Sequence, residues 1–337
     1  MTRPSDKTTR HLLIATESHL DLWVAPEWFS DKLSAQFPQL EITRLTSYDG
    51  FEKYLGNAEI LFSQSLRREQ FAVARNLRWI HSPSAGVHQF MFPELVNSGV
   101  VLTNAREVHG PGVAEHVMAL MFAIAKRIPA SVKFQLKHVW GQEILWNEGN
   151  CPLDIAGATL GLVGFGSIGS NVAKFAHAMG MRVVVVREHP AGQRAEFVDD
   201  ELPSGRLHEM LSQADYVVMS PPLTPATRGM IGREQLAQMK STSFLINVGR
   251  GSLIDEQALI AALRERKIAG AALDVFDKEP LPADSPLWDL DNLLITPHTA
   301  GMDPRLWEQH YALFSENLRR YFSGQPLLGL VDKESGY

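Results

Sequence analysis

Residues 159–187 read TLGLVGFGSIGSNVAKFAHAMGMRVVVVR. The apolar run Thr159–Val163 predicts a strand that leads into a glycine-rich turn at Gly164–Gly169. A helical pattern follows from Ile168 to Gly180, and the run Arg182–Val186 predicts a second strand. Strand, glycine turn, helix and strand in this order form one unit of a doubly wound parallel sheet. The segment therefore predicts an α/β fold of the Rossmann type.

The glycine spacing in this turn is that of a dinucleotide-binding fingerprint. Gly164 permits a tight turn, Gly166 lets the backbone approach a pyrophosphate, and Gly169 allows the helix to pack closely on the strand. The helix N-terminus at Ser167 and Ile168 supplies amide groups and a favourable dipole to the anion. A glycine turn without a ligand is the alternative, but the complete strand-turn-helix-strand context favours a dinucleotide site.

The end of the second strand bears on the choice of cofactor. NAD-binding folds commonly place Asp or Glu there to bind the ribose hydroxyls, whereas this sequence has Arg187. A guanidinium attracts the 2′-phosphate of NADP, and it can also stack on adenine. The sequence therefore predicts NADP rather than NAD. NAD stays possible, because Arg187 could be an exposed strand end with Glu188 supplying the ribose contact.

The same alternation of strands and helices occupies the N-terminal third of the chain. The strands predicted there are His11–Ala15, Glu41–Leu45, Glu59–Phe62, Arg78–His81 and Val100–Thr103. Helical patterns such as Pro26–Phe37 and Arg67–Arg75 lie between them, which indicates crossovers in a parallel sheet. The series that starts at Thr159 runs to about Pro297. A chain of 337 residues exceeds what one core usually organises, so two domains are expected.

A helix between the two series has no polar face. It is predicted over Gly112–Arg127, with Pro129 ending it, and it must be buried between domains or between subunits. The segment Glu143–Asp154 is predicted to be an irregular linker. The last helix, Pro304–Phe322, is apolar on one side, and the chain could return there to the first sheet.

Composition excludes several classes of protein. Apolar residues make up 45% and charged residues 21% of the chain, which is typical of globular rather than disordered proteins. The formal charge of −6 argues against a nucleic-acid or anionic-membrane surface. The polar segment Met1–Arg10 lacks a signal-peptide core, and no stretch looks long enough to span a bilayer, so a cytoplasmic protein is expected. Cys151 stands alone as a passive thiol, and no Cys/His spacing predicts a metal site.

Charged residues follow three strands of the second series. They lie in Asn247–Gly251, Leu273–Pro280 and Thr296–Gly301. In a doubly wound sheet, ligands bind beyond the carboxyl ends of the strands, so these segments should converge. Reduction of a 2-oxo acid needs a cation for the carboxylate, a proton donor for the carbonyl oxygen, and a carboxylate that favours the charged donor.

Arg250, His298 and Glu279 have the side chains that these three tasks require. Taken singly, each has an ordinary alternative. Arg250 could be a surface arginine, Glu279 a loop carboxylate and His298 a core histidine. Their joint occurrence at strand ends favours a catalytic set. His81, His88, His109 and His116 have no comparable context, although His88 lies near enough to Ser84 to touch a substrate.

With these motifs, the sequence resembles the D-2-hydroxyacid dehydrogenase family, which includes glyoxylate and hydroxypyruvate reductases and phosphoglycerate dehydrogenase. Two further stretches support the resemblance, Ser84–Val87 and Pro222–Gly229. The resemblance implies that Arg250 binds the substrate carboxylate and carbonyl, that His298 is the general acid or base, and that Glu279 pairs with it. It also implies substrate contacts from the segment around Ser84, namely Ser84, Ala85, Gly86 and Val87.

The resemblance has further implications for the cofactor, the domains and the assembly. Beyond the glycine turn and Arg187, the expected cofactor contacts are Pro222, Thr227, Val248, Gly249, Arg250, Asp274, His298 and Gly301. The fold implied is a Rossmann-type doubly wound sheet, residues 105–298, inserted in a flavodoxin-like α/β domain, residues 1–104 plus 299–337. The apolar helix Gly112–Arg127 implies a homodimer.

The function predicted is reduction of a small 2-oxo acid such as glyoxylate or hydroxypyruvate, with NADPH preferred and NADH possible. The alternative is a nucleotide-sensing corepressor-like binding protein, because such proteins use this fold and keep the three residues. Those proteins carry disordered interaction tails, whereas the polar ends of this chain are short, which favours an enzyme.

Overall fold

The computed structural model describes residues 10–18, 20–147, 151–190 and 193–337. The chain divides into two compact units, one made of residues 1–109 and 302–337 (unit 1), the other of residues 110–301 (unit 2). These limits lie three to five residues from the predicted ones at 104/105 and 298/299. Residues 1–9 of the polar N-terminal segment and residues 148–150 of the predicted linker lie outside the described residues.

All strands of both sheets are parallel to their neighbours. Across the described residues the strands are β1 (Arg10–Ala15), β2 (Leu40–Leu45), β3 (Ile60–Ser63), β4 (Trp79–Ser82), β5 (Val101–Asn104), β6 (Thr159–Val163), β7 (Arg182–Arg187), β8 (Asp200–Pro203), β9 (Tyr216–Met219), β10 (Phe244–Asn247), β11 (Gly270–Leu273) and β12 (Leu293–Ile295). The seven strands predicted with bounds, which correspond to β1–β7, match to within one residue at each end.

The strand orders confirm the predicted fold class. Unit 1 has the order β2-β1-β3-β4-β5, which is the flavodoxin-like arrangement. Unit 2 has the order β12-β11-β10-β9-β6-β7-β8. From β6 the chain adds β7 and β8 on one side, and it then crosses to add β9 to β12 on the other side. The place between β6 and β9 is therefore a topological switch point, where ligands bind outside the carboxyl ends of the strands. The glycine turn leaves β6 at this place.

Helices connect the strands in both units. They are α1 (Glu27–Gln36), α2 (Phe51–Leu55), α3 (Arg68–Phe71), α4 (Pro93–Val96), α5 (Arg106–Ala125), α6 (Ile128–Leu136), α7 (Gln142–Asn147), α8 (Ser167–Ala178), α9 (Leu207–Gln213), α10 (Arg233–Gln238), α11 (Glu256–Arg264) and α12 (Leu306–Ser323). Short 3-10 turns add to these.

Several helix predictions need correction. The segment predicted as a helix over Arg67–Arg75 forms only the four-residue α3. Helix α5 begins six residues before the predicted Gly112 and ends at Ala125. Pro129 therefore does not end α5. It lies in the first turn of α6, where the backbone amide that proline lacks would have no helical partner. The predicted irregular linker begins with a helix, α7.

Helix α5 is also not buried all round. Val113, Val117 and Met121 pack in the core of unit 2, while a stripe that includes Gly112, Ala119 and Phe122 is exposed. By length and composition alone α5 could cross a membrane, contrary to the expectation that no stretch could, and half of it is buried inside the protein. A core helix of a globular protein meets the same test.

The last helix, α12, packs on the sheet of unit 1. Its Trp307, Phe314 and Leu318 share one apolar cluster with Phe62 and Trp79 of β3 and β4. The rings of Phe62 and Phe314 meet edge to face at 4.9 Å between centroids. The chain therefore returns to its first sheet, as an inserted-domain topology requires.

Two histidines are buried in unit 1 beneath this helix. His81 on β4 pairs its Nδ1 with the Thr103 hydroxyl at 2.8 Å, and burial lowers its pKa to about 3. Burial also lowers the pKa of His310 on α12 well below 6.5, and the nearby His109 and His81 lower it further. Both imidazoles are therefore neutral in the folded protein near pH 7.

We predict that acidification destabilises the folded chain through these two histidines. Above pH 6.5 neither the folded nor the unfolded state protonates them, but below that value only the unfolded chain takes up the protons. The free energy of unfolding should then fall by about 1.4 kcal/mol per pH unit for each histidine. Denaturant unfolding at pH 7, 6 and 5 measures this slope. His310→Gln, which does not titrate, should remove about half of it, and an unchanged slope would contradict the prediction.

Candidate active site

The glycine turn after β6 is built as the fingerprint requires. Gly164 has φ +90°, and a Cβ there would lie 2.8 Å from the backbone of Pro221. A Cβ on Gly169 would lie 2.4 Å from the carbonyl oxygen of Gly164, so helix α8 can approach the turn only with glycine at this position. Gly166 has no atom within 4 Å of a built Cβ, which leaves its face open.

The N-terminus of α8 fits an anion. Its N-cap residue, Gly166, provides no side-chain hydrogen bond to the first amides, and the first turn holds no acidic residue. The exposed amides of a helix N-terminus and the helix dipole attract phosphate groups. Together with the open face at Gly166, the turn therefore fits the pyrophosphate of a dinucleotide.

Arg187 ends β7 and is less free than the sequence indicated. Its Nε lies 2.7 Å from Oε1 of Glu201, whose side chain is almost buried on the neighbouring strand β8. Its guanidinium also lies 5.7 Å from the ring centroid of Phe165 in the glycine turn. Glu188, the alternative ribose ligand, is exposed. Glu201 is a residue that sequence reasoning missed, because it lies fourteen positions further along the chain.

The loops after β9 and β10 bring further predicted residues to the same edge of the sheet. Thr227 donates a hydrogen bond from its hydroxyl to the carbonyl of Pro222 at 2.6 Å, which closes the loop after β9. The buried Asn247 at the end of β10 accepts from the amide of Gly249 and donates to the carbonyl of Arg250. Asn247 therefore holds the turn that carries Arg250, a role the sequence did not reveal.

Close backbone packing brings Arg250 beside Glu279. A Cβ on Gly251 would lie 1.9 Å from the carbonyl carbon of Phe276, so only glycine lets these two loops approach. The Phe276 amide donates to Oε1 of Glu279 at 2.9 Å. Burial lowers the pKa of Arg250, while the charge of Glu279 opposes that shift.

Glu279 in turn pairs with His298. Burial tends to raise the pKa of Glu279, but hydrogen bonds from His298 and the Phe276 amide, with the charges of His298 and Arg250, hold it below its ordinary value. Its Oε2 lies 2.6 Å from Nδ1 of His298. Because an ionised carboxylate can only accept, Nδ1 must carry the hydrogen. The other ring nitrogen, Nε2, is left to exchange a proton with a ligand, and half of the His298 side chain is exposed.

The Asp274 carboxylate at the end of β11 is already engaged within the protein. It accepts hydrogen bonds from the Thr296 hydroxyl and from the amides of Thr299 and Ala300, and its side chain is 1% exposed. The sequence predicted a cofactor contact for Asp274, and it did not predict this role in holding the loop around His298. Gly301 follows directly at the end of unit 2.

In unit 1 the loop Ser84–Val87 has its carbonyl groups tied back. The carbonyls of Pro83, Ser84 and Ala85 accept from His109, Ala105 and Asn104 respectively. Among the described residues, the amides of Ala85, Gly86 and Val87 donate to no other group. Backbone amides that share a turn in this way can bind an anion.

No cluster of three or more His, Cys, Asp or Glu side chains that could hold a metal ion occurs in the part of the chain that the structure describes. Charged side chains at this edge include Arg250, Glu279 and Asp274, with Arg187 at the end of β7.

Comparison with protein families identifies this arrangement. The model of the D-isomer specific 2-hydroxyacid dehydrogenase NAD binding domain matches residues 118–300, more than half of the 337 residues. The chain belongs to the D-isomer specific 2-hydroxyacid dehydrogenase family.

Individual members of this dehydrogenase family are similar over most of the chain. A D-3-phosphoglycerate dehydrogenase of Methanocaldococcus jannaschii is 33% identical over 89% of this chain and 57% of its own length. A glyoxylate reductase of Korarchaeum cryptofilum is 33% identical over 81% of this chain and 82% of its own length. The structure of a D-isomer specific 2-hydroxyacid dehydrogenase from Xanthobacter autotrophicus, in complex with NADPH and MES, has a TM-score of 0.84 at 30% identity and covers 98% of this chain and 100% of its own.

The dehydrogenase family and the geometry agree on the class of chemistry. The chain is an NAD(P)-dependent oxidoreductase that acts on the CH–OH group of 2-hydroxy acids. Sequence reasoning missed the anchoring roles of three residues of this dehydrogenase, Asn247, Glu201 and Asp274. No sequence motif marks these roles. Only the sheet brings the three residues next to those they hold.

Proposed function

We propose that this dehydrogenase works as an NADPH-preferring reductase of small 2-oxo acids, glyoxylate and hydroxypyruvate among them. One observation carries the proposal: the Glu279 carboxylate lies 2.6 Å from the imidazole of His298, in the field of Arg250. A cation, a proton donor and its carboxylate partner are what carbonyl reduction requires. A glyoxylate reductase among the relatives supports the substrate class.

The proposed task of Arg250 is to bind and polarise the substrate. Its guanidinium offers several donors in one plane, which suits a carboxylate and the adjacent carbonyl oxygen of a 2-oxo acid. Partial burial of Arg250 strengthens this attraction because solvent screens the charge less than at an exposed site. The Asn247 side chain keeps the backbone of Arg250 in place.

The proposed task of His298 is to move the proton. A bound nicotinamide would supply the hydride to the carbonyl carbon, and Nε2 of His298 would give its proton to the carbonyl oxygen. The C=O bond becomes C–O–H, and the imidazole is left neutral. Glu279 accepts the Nδ1 hydrogen throughout, so it orients the ring and stabilises the charged form that reduction requires. Oxidation of the 2-hydroxy acid reverses these transfers.

The remaining assignments extend this proposal. The segment Ser84, Ala85, Gly86 and Val87 would bind the substrate carboxylate, through the amides of its last three residues because the Ser84 amide donates to Ser82, with residues 1–104 and 299–337 as the substrate domain. Residues 105–298 would bind the dinucleotide. The cofactor contacts would be Gly164, Gly166, Ser167, Ile168, Gly169, Arg187, Pro222, Thr227, Val248, Gly249, Arg250, Asp274, His298 and Gly301. For Asp274 we expect a van der Waals contact with the cofactor rather than a hydrogen bond from its carboxylate, since that carboxylate already accepts hydrogen bonds within the protein. A cytoplasmic location fits the reaction and stays part of the proposal.

Replacing His298 with Ala tests the mechanism. NADPH oxidation with a panel of glyoxylate, hydroxypyruvate and bulkier 2-oxo acids should fall by about 10²–10⁴-fold, because the proton donor is lost. NADPH binding should change little, since the glycine turn is untouched. Thermal unfolding of the same sample shows whether the variant is folded. A folded variant with parental turnover would falsify the mechanism, and a parent protein that binds NADPH but reduces no acid would favour the sensor alternative.

Replacing Arg187 with Asp tests the cofactor preference. The parent should bind NADPH about tenfold more tightly than NADH, because a charge-assisted phosphate contact is worth about 1.5–3 kcal/mol and Glu201 already shares the guanidinium. The variant should reverse the order. Arg182→Asp, the same charge change at the opposite end of β7, is the matched control and should leave the preference intact. Equal affinities in the parent would contradict the assignment.

We also propose that the protein is a homodimer. Helices α6 and α7 and the segment between them carry an apolar surface, the arm surface, formed by Ile128, Val132, Leu136, Val139, Trp140, Ile144 and Trp146. Within it, Trp140 is 88% exposed, Leu136 78% and Trp146 72%. Patches of this kind on a folded protein mark association sites. The exposed stripe of α5, which combines Gly112, Ala119 and Phe122 with the charged Glu115, is a second surface that a second copy could cover.

Replacing Leu136 with Glu tests the dimer. Sedimentation at micromolar concentration should show a dimer for the parent and a monomer for the variant, because a charge on the arm surface would be buried without a partner. Trp288→Glu is the control, since Trp288 is also exposed in unit 2 but belongs to the 3-10 turn Pro286–Asp289 and not to the arm surface. A parent that sediments as a monomer would remove the proposal.

A further inference from the structure

The loop that carries His298 is wrapped around one buried carboxylate. Asp274 accepts hydrogen bonds from the Thr296 hydroxyl at 2.6 Å, from the Thr299 amide at 2.9 Å and from the Ala300 amide at 3.0 Å. Its backbone carbonyl also accepts from the amide of His298 at 2.9 Å. Residues on both sides of His298 are therefore tied to Asp274.

His298 needs this support because its backbone is in the left-handed region, with φ +53°. A residue with a Cβ pays roughly 1–2 kcal/mol for this conformation, and it keeps the conformation only when the surroundings hold it. The same conformation aims the imidazole at Glu279. Loosening the loop should therefore break the 2.6 Å contact between His298 and Glu279 while unit 2 stays folded.

A second histidine closes this network from helix α5. Nε2 of His116 lies 3.0 Å from the Thr296 hydroxyl oxygen and 3.5 Å from Oδ1 of Asp274. The one hydrogen of the Thr296 hydroxyl goes to Asp274. The oxygen of Thr296 must therefore accept from His116, which requires a hydrogen on Nε2. The side chain of His116 is only 20% exposed, so water competes little for this bond.

We propose that His116 is a positioning residue for His298 in the reaction proposed above, on which this inference rests. It donates from Nε2 to Thr296 and so directs the Thr296 hydroxyl at Asp274. Asp274 then holds the loop in which His298 faces Glu279. The described contacts of His116 are with Thr296 and Asp274. His116 therefore acts on His298 through these two residues. A donor at Nε2 is the property that matters, rather than a titrating imidazole.

The variants follow from this requirement. His116→Ala removes the donor, whereas His116→Gln can place an amide NH₂ close to the position of Nε2 and should rescue it. Thr296→Val removes the hydroxyl that receives the bond. His177→Ala is the matched control, since His177 is an exposed histidine on helix α8 of the same unit. Thermal unfolding identifies any variant that fails to fold. If His116→Ala is unfolded, His116→Gln and Thr296→Val still test the proposal.

Two measurements separate positioning from a merely structural role. The first is the ring NMR signal of His298 in the protein without cofactor, assigned by its absence in His298→Gln. The second is kcat, KM and NADPH affinity with the 2-oxo acid that the parent reduces best. We expect His116→Ala and Thr296→Val to shift or broaden the His298 signal and to lower kcat by about tenfold to a hundredfold, with NADPH affinity nearly unchanged. The double variant His116→Ala/Thr296→Val should have a kcat no lower than that of either single variant, because both changes break the same chain of contacts.

The outcomes are distinct. Rescue of both the signal and kcat in His116→Gln, with His177→Ala at parental values, supports the proposal. A folded His116→Ala with parental kcat and an unmoved His298 signal overturns it, as does a Gln variant as impaired as the Ala variant. If the parent reduces no 2-oxo acid, the proposed function fails, while the His298 signal in the unliganded protein still decides whether His116 positions the loop.

Discussion

The Glu279 carboxylate is held between the Phe276 amide, the imidazole of His298 and the charge of Arg250. These groups keep it ionised despite partial burial, and an ionised carboxylate can only accept hydrogen bonds. That single constraint decides the tautomer of His298 and leaves Nε2 available to a ligand. The cation, the carboxylate and the imidazole come from three different strand ends, so the interaction exists only because the parallel sheet brings those ends to one edge.

Glycine at two turns makes this convergence possible. Gly251 lets the loop after β10 touch the backbone of Phe276, and Gly169 lets α8 pack on the turn at Gly164. A side chain at either position would have to displace backbone atoms, which cannot yield as the end of a flexible side chain can. The proposed catalytic residues and the glycine turn thus depend on residues that contribute no chemistry themselves.

Buried polar anchors form a second layer behind the active residues. Asn247 holds the turn of Arg250, Asp274 holds the loop of His298, and Glu201 holds the guanidinium of Arg187. Each anchor lies on a strand or at its end, where the backbone is fixed by the sheet. Asn247 and Asp274 have hydrogen-bond partners within the protein, and Glu201 faces a guanidinium charge, so these groups can be buried without a large cost.

The sequence by itself determined seven of the twelve described strands, the fold class and the candidate set Arg250, Glu279 and His298, because alternation of apolar runs and glycine spacing are local signals. It misplaced the start of α5, since Pro111 lies inside this helix rather than before it. The tertiary structure alone decided that Arg187 shares its charge with Glu201, and that His116 reaches Thr296 across 180 positions. Such pairings join distant segments, and no local pattern records which segments the sheet will make neighbours.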